Sequence, residues 1–317
     1  MSLRGASRDT MNKIAAIVVT YNRVLLLKEC IEALTKYADG ADILIIDNNS
    51  TDNTKETVSH YVDNQRVFYY NTGKNLGGAG GFNYGLKVAY EKGYDYFWLM
   101  DDDTIVEKNT LKELVKAIDI IPDSKFGYLS SIAYWIDGSI CIMNDQTPTN
   151  DIKGFNKDKW MIKDGIVRIT RSNFVSFFVS KEAVRKVGLP IKEYFIWGDD
   201  SEYSSRVAQS FPCYLVAKSR VTHKMKENRN STGDILTVED LERIERVQLS
   251  TRNDCCTYRR RGIRPFLKFT KGVYSTIFTI LRSDCIYKRQ KVKAFFMGWV
   301  KGVFFRPEIE YVSKKRK

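Results

Sequence analysis

Four apolar runs alternate with amphipathic stretches over the first hundred residues. Ile14-Ala15-Ala16-Ile17-Val18-Val19, Ile43-Leu44-Ile45-Ile46, Arg66-Val67-Phe68-Tyr69-Tyr70 and Tyr96-Phe97-Trp98-Leu99-Met100 each predict a strand. Such apolar runs suit strands covered on both faces, as in a parallel sheet. After the first, Leu26, Leu27, Cys30, Ile31 and Leu34 recur at helical spacing, with Lys28, Glu29 and Glu32 on the other face. A second helix runs on from about residue 51. A third opens in Asn75-Leu76-Gly77-Gly78-Ala79-Gly80-Gly81 and continues to about residue 91. The order βαβαβαβ predicts a doubly wound α/β sheet with right-handed crossovers.

Polar residues stand where these strands end: Tyr21 with Arg23, Asp47, Asn75, and the triplet Asp101-Asp102-Asp103. In open α/β sheets that carboxyl edge is where ligands bind. Three adjacent carboxylates repel one another unless something positive joins them. Mg²⁺ or Mn²⁺, with oxygen ligands, is the natural counter-ion and would also hold phosphates. The plainer alternative is a solvated acidic turn, with Asp103-Thr104 capping the next helix. The glycine stretch is neither GxGxxG nor a Walker loop. It either brings backbone N–H groups to a phosphate or sugar, or forms a tight loop with close helix packing.

Residues 111–120 then predict a helix, broken at Pro122-Asp123. Residues 126–135 are strand-like, with Asp137-Gly138 as a hairpin signal. Residues 143–165 are irregular and polar and are expected to lie over the cleft. Residues 166–169, 173–179 and 213–216 predict further strands, and 181–187 a helix ended by Gly188. A second acidic cluster, Trp197-Gly198-Asp199-Asp200-Ser201-Glu202, follows an aromatic stretch and begins a helix, where acidic residues also simply suit the dipole. His223 is one of only two histidines, and the other, His60, lies in a polar helix. Neutral imidazole is a competent metal ligand beside carboxylates.

The 317 residues and 43% hydrophobic content suit one large domain, or one domain plus an appendage. Residues 1–10 have no apolar pattern and are read as an expression remnant. No signal peptide is visible. Six cysteines without CxxC spacing read as reduced thiols of a cytosolic protein. The net charge of +13 is unevenly placed. Residues 255–317 hold 17 Lys+Arg and 3 Asp+Glu, or +14, which leaves −1 for residues 1–254.

Five segments in order make the pattern specific: Val18-Val19-Thr20-Tyr21-Asn22-Arg23, Ile46-Asp47-Asn48-Asn49-Ser50, Asn75-Leu76-Gly77-Gly78, the Asp triplet, and Gly198-Asp199-Asp200-Ser201-Glu202. Over about residues 11–225 the sequence resembles glycosyltransferase family 2, the inverting enzymes of the GT-A fold. Within it, the stretch from Asn75 to Asn83, the triple Asp, Trp197 and His223 look most like bacterial galactofuranosyltransferases; rhamnosyltransferases share much of this pattern. The resemblance implies a Rossmann-like domain that binds a nucleotide-sugar, with UDP the expected nucleotide. Tyr21 would stack on the base and Asp47 hydrogen-bond it. Thr20, Arg23, Asn75, Asp101 and Asp102 would hold the donor. Asp101, Asp103 and His223 would bind Mn²⁺ or Mg²⁺. Asp200 would be the general base, and Trp197, Asp199 and Glu202 would hold the acceptor, a glycan or lipid-linked hydroxyl. Gly198 stands between Trp197 and the acidic pair, where galactofuranosyltransferases can have Trp followed directly by Asp.

The resemblance fades after about residue 253, so the expected organisation is 11–254 for the GT-A domain and 255–317 for a mostly helical basic extension. In the extension, aromatics interleave with Arg259-Arg260-Arg261, Lys288-Arg289 and Lys314-Lys315-Arg316-Lys317. Its longest uncharged stretch, 272–281, is 10 residues, too short to span a bilayer. Basic plus aromatic helical segments predict docking to an anionic membrane surface, here the inner face of the cell membrane, by a cytoplasmic protein. A structural cap on the catalytic domain is the alternative. The rival functions are a dTDP-rhamnose enzyme, a nucleic-acid-binding protein acting through the tail, and a non-catalytic sugar-nucleotide-binding subunit. Nucleic acid is not the favoured partner, and a homo-oligomer is left open.

Overall fold

The computed structural model describes residues 13–62, 65–228 and 235–312. The remnant at 1–10 and the basic end Lys314-Lys315-Arg316-Lys317 lie outside the described residues. The first half of the chain alternates as expected: β1 (Ile14–Thr20), α1 (Val24–Tyr37), β2 (Ala41–Asp47), α2 (Thr54–Val62), β3 (Val67–Asn71), α3 (Gly77–Glu91) and β4 (Tyr96–Asp101). These four strands are parallel in the order β3-β2-β1-β4, so the strand exits converge on one edge. β1 is buried along its whole length because helices cover both faces of the sheet there.

The second half extends the sheet. It comprises β5 (Thr104–Val106), α4 (Thr110–Ile120), β6 (Tyr128–Tyr134), β7 (Thr147–Pro148), α5 (Ile152–Asp158), β8 (Ile166–Arg171), β9 (Phe177–Ser180), α6 (Lys181–Val187), α7 (Asp199–Ala208) and β10 (Cys213–His223). β9 runs antiparallel between β4 and β6, and β10 joins β6 to β8. β5 pairs only with the end of β10, Thr104 opposite His223. The triplet is therefore followed by a strand rather than a helix. The solvated capping turn is overturned: Asp102 and Asp103 are 2% and 5% exposed, and α4 begins only at Thr110, without a side-chain cap.

Close packing accounts for two of the α3 glycines. A Cβ at Gly81 would fall 2.5 Å from Val19, and one at Gly85 2.5 Å from Ile17. Only bare backbone lets α3 lie that near β1. At its start, Gly77 has φ +69 and allows the turn off Leu76.

Three helices end the described chain: α8 (Leu241–Arg260), α9 (Ile263–Arg282) and α10 (Lys288–Phe304). The expected division at 254/255 falls inside α8, which is one continuous helix. α8 and α10 approach closely through Gly298 and Gly302 of α10, which meet Thr251 and Cys255. Lys291 of α10 is fully buried, and its Nζ donates to the Leu236 carbonyl at 2.9 Å. The six cysteines are unpaired.

Candidate active site

The triplet divides its work by position. Asp101 is the last residue of β4; Asp102 and Asp103 turn toward β5. Thr20, at the end of the neighbouring β1, donates to Asp102 Oδ2 at 2.7 Å. Arg23 reaches across from the β1 exit loop: Nη1 lies 2.8 Å from Asp102 Oδ1, and Nη2 2.6 Å from Asp103 Oδ2. Burial pushes Asp101 up to about 7, and the Asp103 charge adds to it. Asp102 is also raised to about 7, by burial against the pull of Arg23. Burial acts on Asp103 too, but His223 and Arg23 outweigh it and hold this carboxyl well below the usual range.

His223 closes the cluster from the end of β10. Its Nδ1 is 2.8 Å from Asn144 Oδ1 and 3.8 Å from Cys141 Sγ, which orients the ring. Its Nε2 is 3.0 Å from Asp103 Oδ1. Burial lowers this imidazole, yet Asp103, Cys141 and Asp101 raise it to about 10. Asp103 Oδ1 is buried, with the His223 ring as its close partner. Asp101, Asp103 and His223 each offer an atom within 4.8 Å of the others'. Two carboxylates and an imidazole form a donor set that suits Mn²⁺ or Mg²⁺.

The second acidic cluster begins α7, capped by Gly198 at φ +86. Asp199 is buried and raised well above the usual range, by burial and then by Asp200. Asp200 is also raised, chiefly by burial, and its Oδ1 accepts from Ser201 N at 2.6 Å. The two clusters feel each other: Asp200 raises Asp101, and Asp101 raises Asp199.

A cavity of about 980 Å³ opens between the sheet edge and the C-terminal helices. Thr20, Tyr21, Arg23, Asn75, Gly77, Gly78, Asp101 and Asp102 line one side; α8 and α10 supply the other, including Gln248, Gln290 and Lys293. Asn75 Oδ1 accepts from Gly77 N at 2.8 Å, so this side chain also shapes the turn.

Three residues stand elsewhere than the motif comparison suggested. Asp47 is not on the cavity wall. Its carboxylate accepts from Ser50 N at 2.8 Å and from Tyr69 OH at 2.5 Å. Both Glu202 oxygens are taken up by Arg206, at 2.8 and 2.9 Å, so Glu202 is half of a buried ion pair rather than an open acceptor contact. Trp197 packs with Val238, Ile244, Val247 and Ala294 in a small apolar cluster. Residues 143–165 do not line the cavity either; Asn144 alone, on His223, joins the site. The α8 and α10 wall and Asn144 had no signal in the sequence, because their roles come from contacts made far along the chain.

Residues 15–126, from β1 through the triplet and past α4, match the family model described as glycosyl transferase family 2. Among curated relatives, galactofuranosyltransferase GlfT1 of Mycolicibacterium smegmatis is 38% identical over 92 residues, covering 28% of this chain and 30% of that protein. Glycosyltransferase GlyG of Streptococcus pneumoniae is 31% identical over 125 residues, covering 36% and 40%. The chain thus spans well under half the length of either. Among solved structures, S. aureus TarS 1–349 superposes with a TM-score of 0.55 at 15% identity, over 90% of this chain and 80% of that one. A mannosyltransferase from Pyrobaculum calidifontis, solved with GDP-Man and Mn²⁺, gives 0.52 at 12% identity, over 94% and 77%. The chain has the GT-A fold.

Proposed function

We propose that this chain is a metal-dependent inverting glycosyltransferase. It moves galactofuranose from UDP-galactofuranose onto a hydroxyl of a glycan or lipid-linked acceptor in cell-surface polysaccharide synthesis. The observation that carries the reading is the cluster of Asp101, Asp103 and His223, whose ligand atoms all lie within 4.8 Å of one another, with Asp101 on the cavity wall. These three would hold Mn²⁺ or Mg²⁺, which would supply positive charge against the departing nucleoside diphosphate. Tyr21, exposed on the cavity wall, stacks on the base, and Thr20, Arg23, Asn75 and Asp102 hold the rest of the donor. Asp200 accepts the proton of the acceptor hydroxyl, whose oxygen attacks the anomeric carbon opposite the leaving diphosphate, inverting it. A carboxylate raised by burial suits a general base near neutral pH. The choice of donor draws on the likeness to GlfT1 and on the TarS structure bound to UDP-GlcNAc.

Attachment to the inner face of the cell membrane belongs to the same proposal. Helix α9 is apolar on two sides. Val273 and Ile280 are buried, whereas Ile263, Leu267, Tyr274, Phe278 and Leu281 are exposed along one face. Arg264, Lys268, Lys271 and Arg282 lie on the same helix. An apolar stripe flanked by cations fits the headgroup region of an anionic bilayer.

The test is calorimetric titration of UDP, dTDP and GDP with and without Mn²⁺, followed by UDP release from UDP-galactofuranose. Mn²⁺-dependent UDP binding with turnover is expected. A preference for dTDP would move the donor to dTDP-rhamnose, binding without turnover would make the chain a non-catalytic subunit, and no nucleotide binding would end the proposal.

A further inference from the structure

Residues 193–198, which lead into Asp199 and Asp200, follow an unusual path. Phe195 has φ +64 and ψ −63, and the Ile196 N–H donates to the Tyr194 carbonyl at 2.7 Å. This is a γ-turn of the rare, strained hand. Trp197 has φ +63 and Gly198 φ +86. Non-glycine residues keep such conformations only where the surroundings over-determine them.

The surroundings are supplied by α8, from the C-terminal region. Asn253 is 0% exposed, and its Nδ2 donates to three carbonyls of the segment: Tyr194 at 2.9 Å, Ile196 at 3.1 Å and Trp197 at 2.8 Å. Its Oδ1 accepts from Arg252, whose Nη2 also reaches the Glu193 carbonyl at 2.8 Å. On the opposite side the start of α3 presses in. Ala79 N donates to the Phe195 carbonyl at 3.2 Å, and a Cβ at Gly77 would overlap that same oxygen. The turn is thus gripped between a helix that lines the donor cavity and a helix of the tail.

We infer that Asn253 is a positioning residue for the acidic pair: its side-chain amide sets the backbone path that aims Asp199 and Asp200 at the acceptor. The inference rests on the proposed glycosyl transfer for its functional consequence, but its structural part stands alone. A base must lie within hydrogen-bond reach of the proton it takes. A displacement of about 1 Å at a reacting group costs on the order of 100-fold in rate. Three carbonyls released from one amide let the turn relax and carry the start of α7 with it.

Asn253→Asp keeps the shape and removes both donor hydrogens; Asn253→Ser keeps one donor. Each variant is first checked for a cooperative circular-dichroism melt, and at least the serine variant is expected to pass. Two readouts follow. Hydrogen exchange is expected to quicken at residues 194–202 and stay unchanged at 96–104. UDP release from UDP-galactofuranose with Mn²⁺ is expected to fall about 100-fold in kcat for Asp and less for Ser, with the donor KM within about twofold of the parent. Unchanged exchange at 194–202 in a folded variant overturns the inference, as does a kcat within threefold of the parent in both. If the parent turns over no UDP-sugar, the proposed function fails, and the exchange measurement still decides the clamp.

Discussion

Arg23 Nη2 lies 2.6 Å from Asp103 Oδ2, so one oxygen of this carboxylate is occupied by the chain's own cation while the other faces His223. The guanidinium fixes the carboxylate and leaves the buried oxygen pointing at the imidazole. A fork of N–H donors across two aspartates is stiffer than a single contact.

Asp103→Ala is expected to leave a folded protein that has lost Mn²⁺-dependent UDP binding. Isothermal calorimetry with and without Mn²⁺ checks it, and unchanged UDP affinity refutes the metal role.

Asp200→Asn is expected to bind UDP as the parent does and to lose turnover by about two orders of magnitude or more, the scale for a positioned general base. Steady-state kinetics beside the calorimetry separates the two. Parent-like transfer would pass the role to Asp199.

Asp254 gives a stability prediction with a defined pH window. Burial, and then the Asp200 charge, push its carboxyl to about 6, against the pull of Arg261 and Arg171. The folded state therefore binds the proton more tightly than the unfolded chain, and ionising this group lowers stability as pH rises from about 4 to about 6. Asp254→Asn should gain about 1–3 kcal/mol at pH 7.5 and nothing at pH 3.5. Urea unfolding at the two pH values tests this; an equal effect at both contradicts it.

Gly77→Ala is expected to destabilise by about 1–3 kcal/mol, because alanine is disfavoured at φ +69 and its methyl would overlap the Phe195 carbonyl. The same change at Gly78, which has open space around its Cβ position, should be nearly neutral. Thermal melts of the two variants side by side make the comparison.

The exposed stripe on α9 predicts salt-sensitive sedimentation with anionic vesicles and little with zwitterionic ones. Replacing Leu267 and Phe278 with serine should reduce binding without unfolding the protein, since both are more than half exposed. Equal binding to both vesicle types, or to neither, would favour a helix that merely caps the catalytic domain.

What was legible in the sequence follows from how far the deciding contacts lie along the chain. The runs at Ile14, Ile43 and Tyr96 announced β1, β2 and β4 because strands covered on both faces need continuous apolar side chains. The triplet's place at a strand exit followed from the same pattern. β5 was hidden: three residues are too short for periodicity, and its pairing with β10 joins Thr104 to His223 across the whole domain. Glu202 looked like an acceptor contact because Arg206, one helical turn later, does not declare its direction in sequence. Asn253 was hidden for the same reason as β5. Its partners at 194–197 lie more than fifty residues away.

The position of α8 bears on how the protein is made. Chains grow from the N-terminus, and domains begin to fold as they emerge. The sheet is complete once β10 has been synthesised, ending at His223, but the turn before Asp199 has no clamp until Asn253 follows. A nascent chain thus has the strand-exit edge before the proposed base, Asp200, is held in place. The clamp arrives late in translation, when the stretch that leads into the basic helices is itself being added.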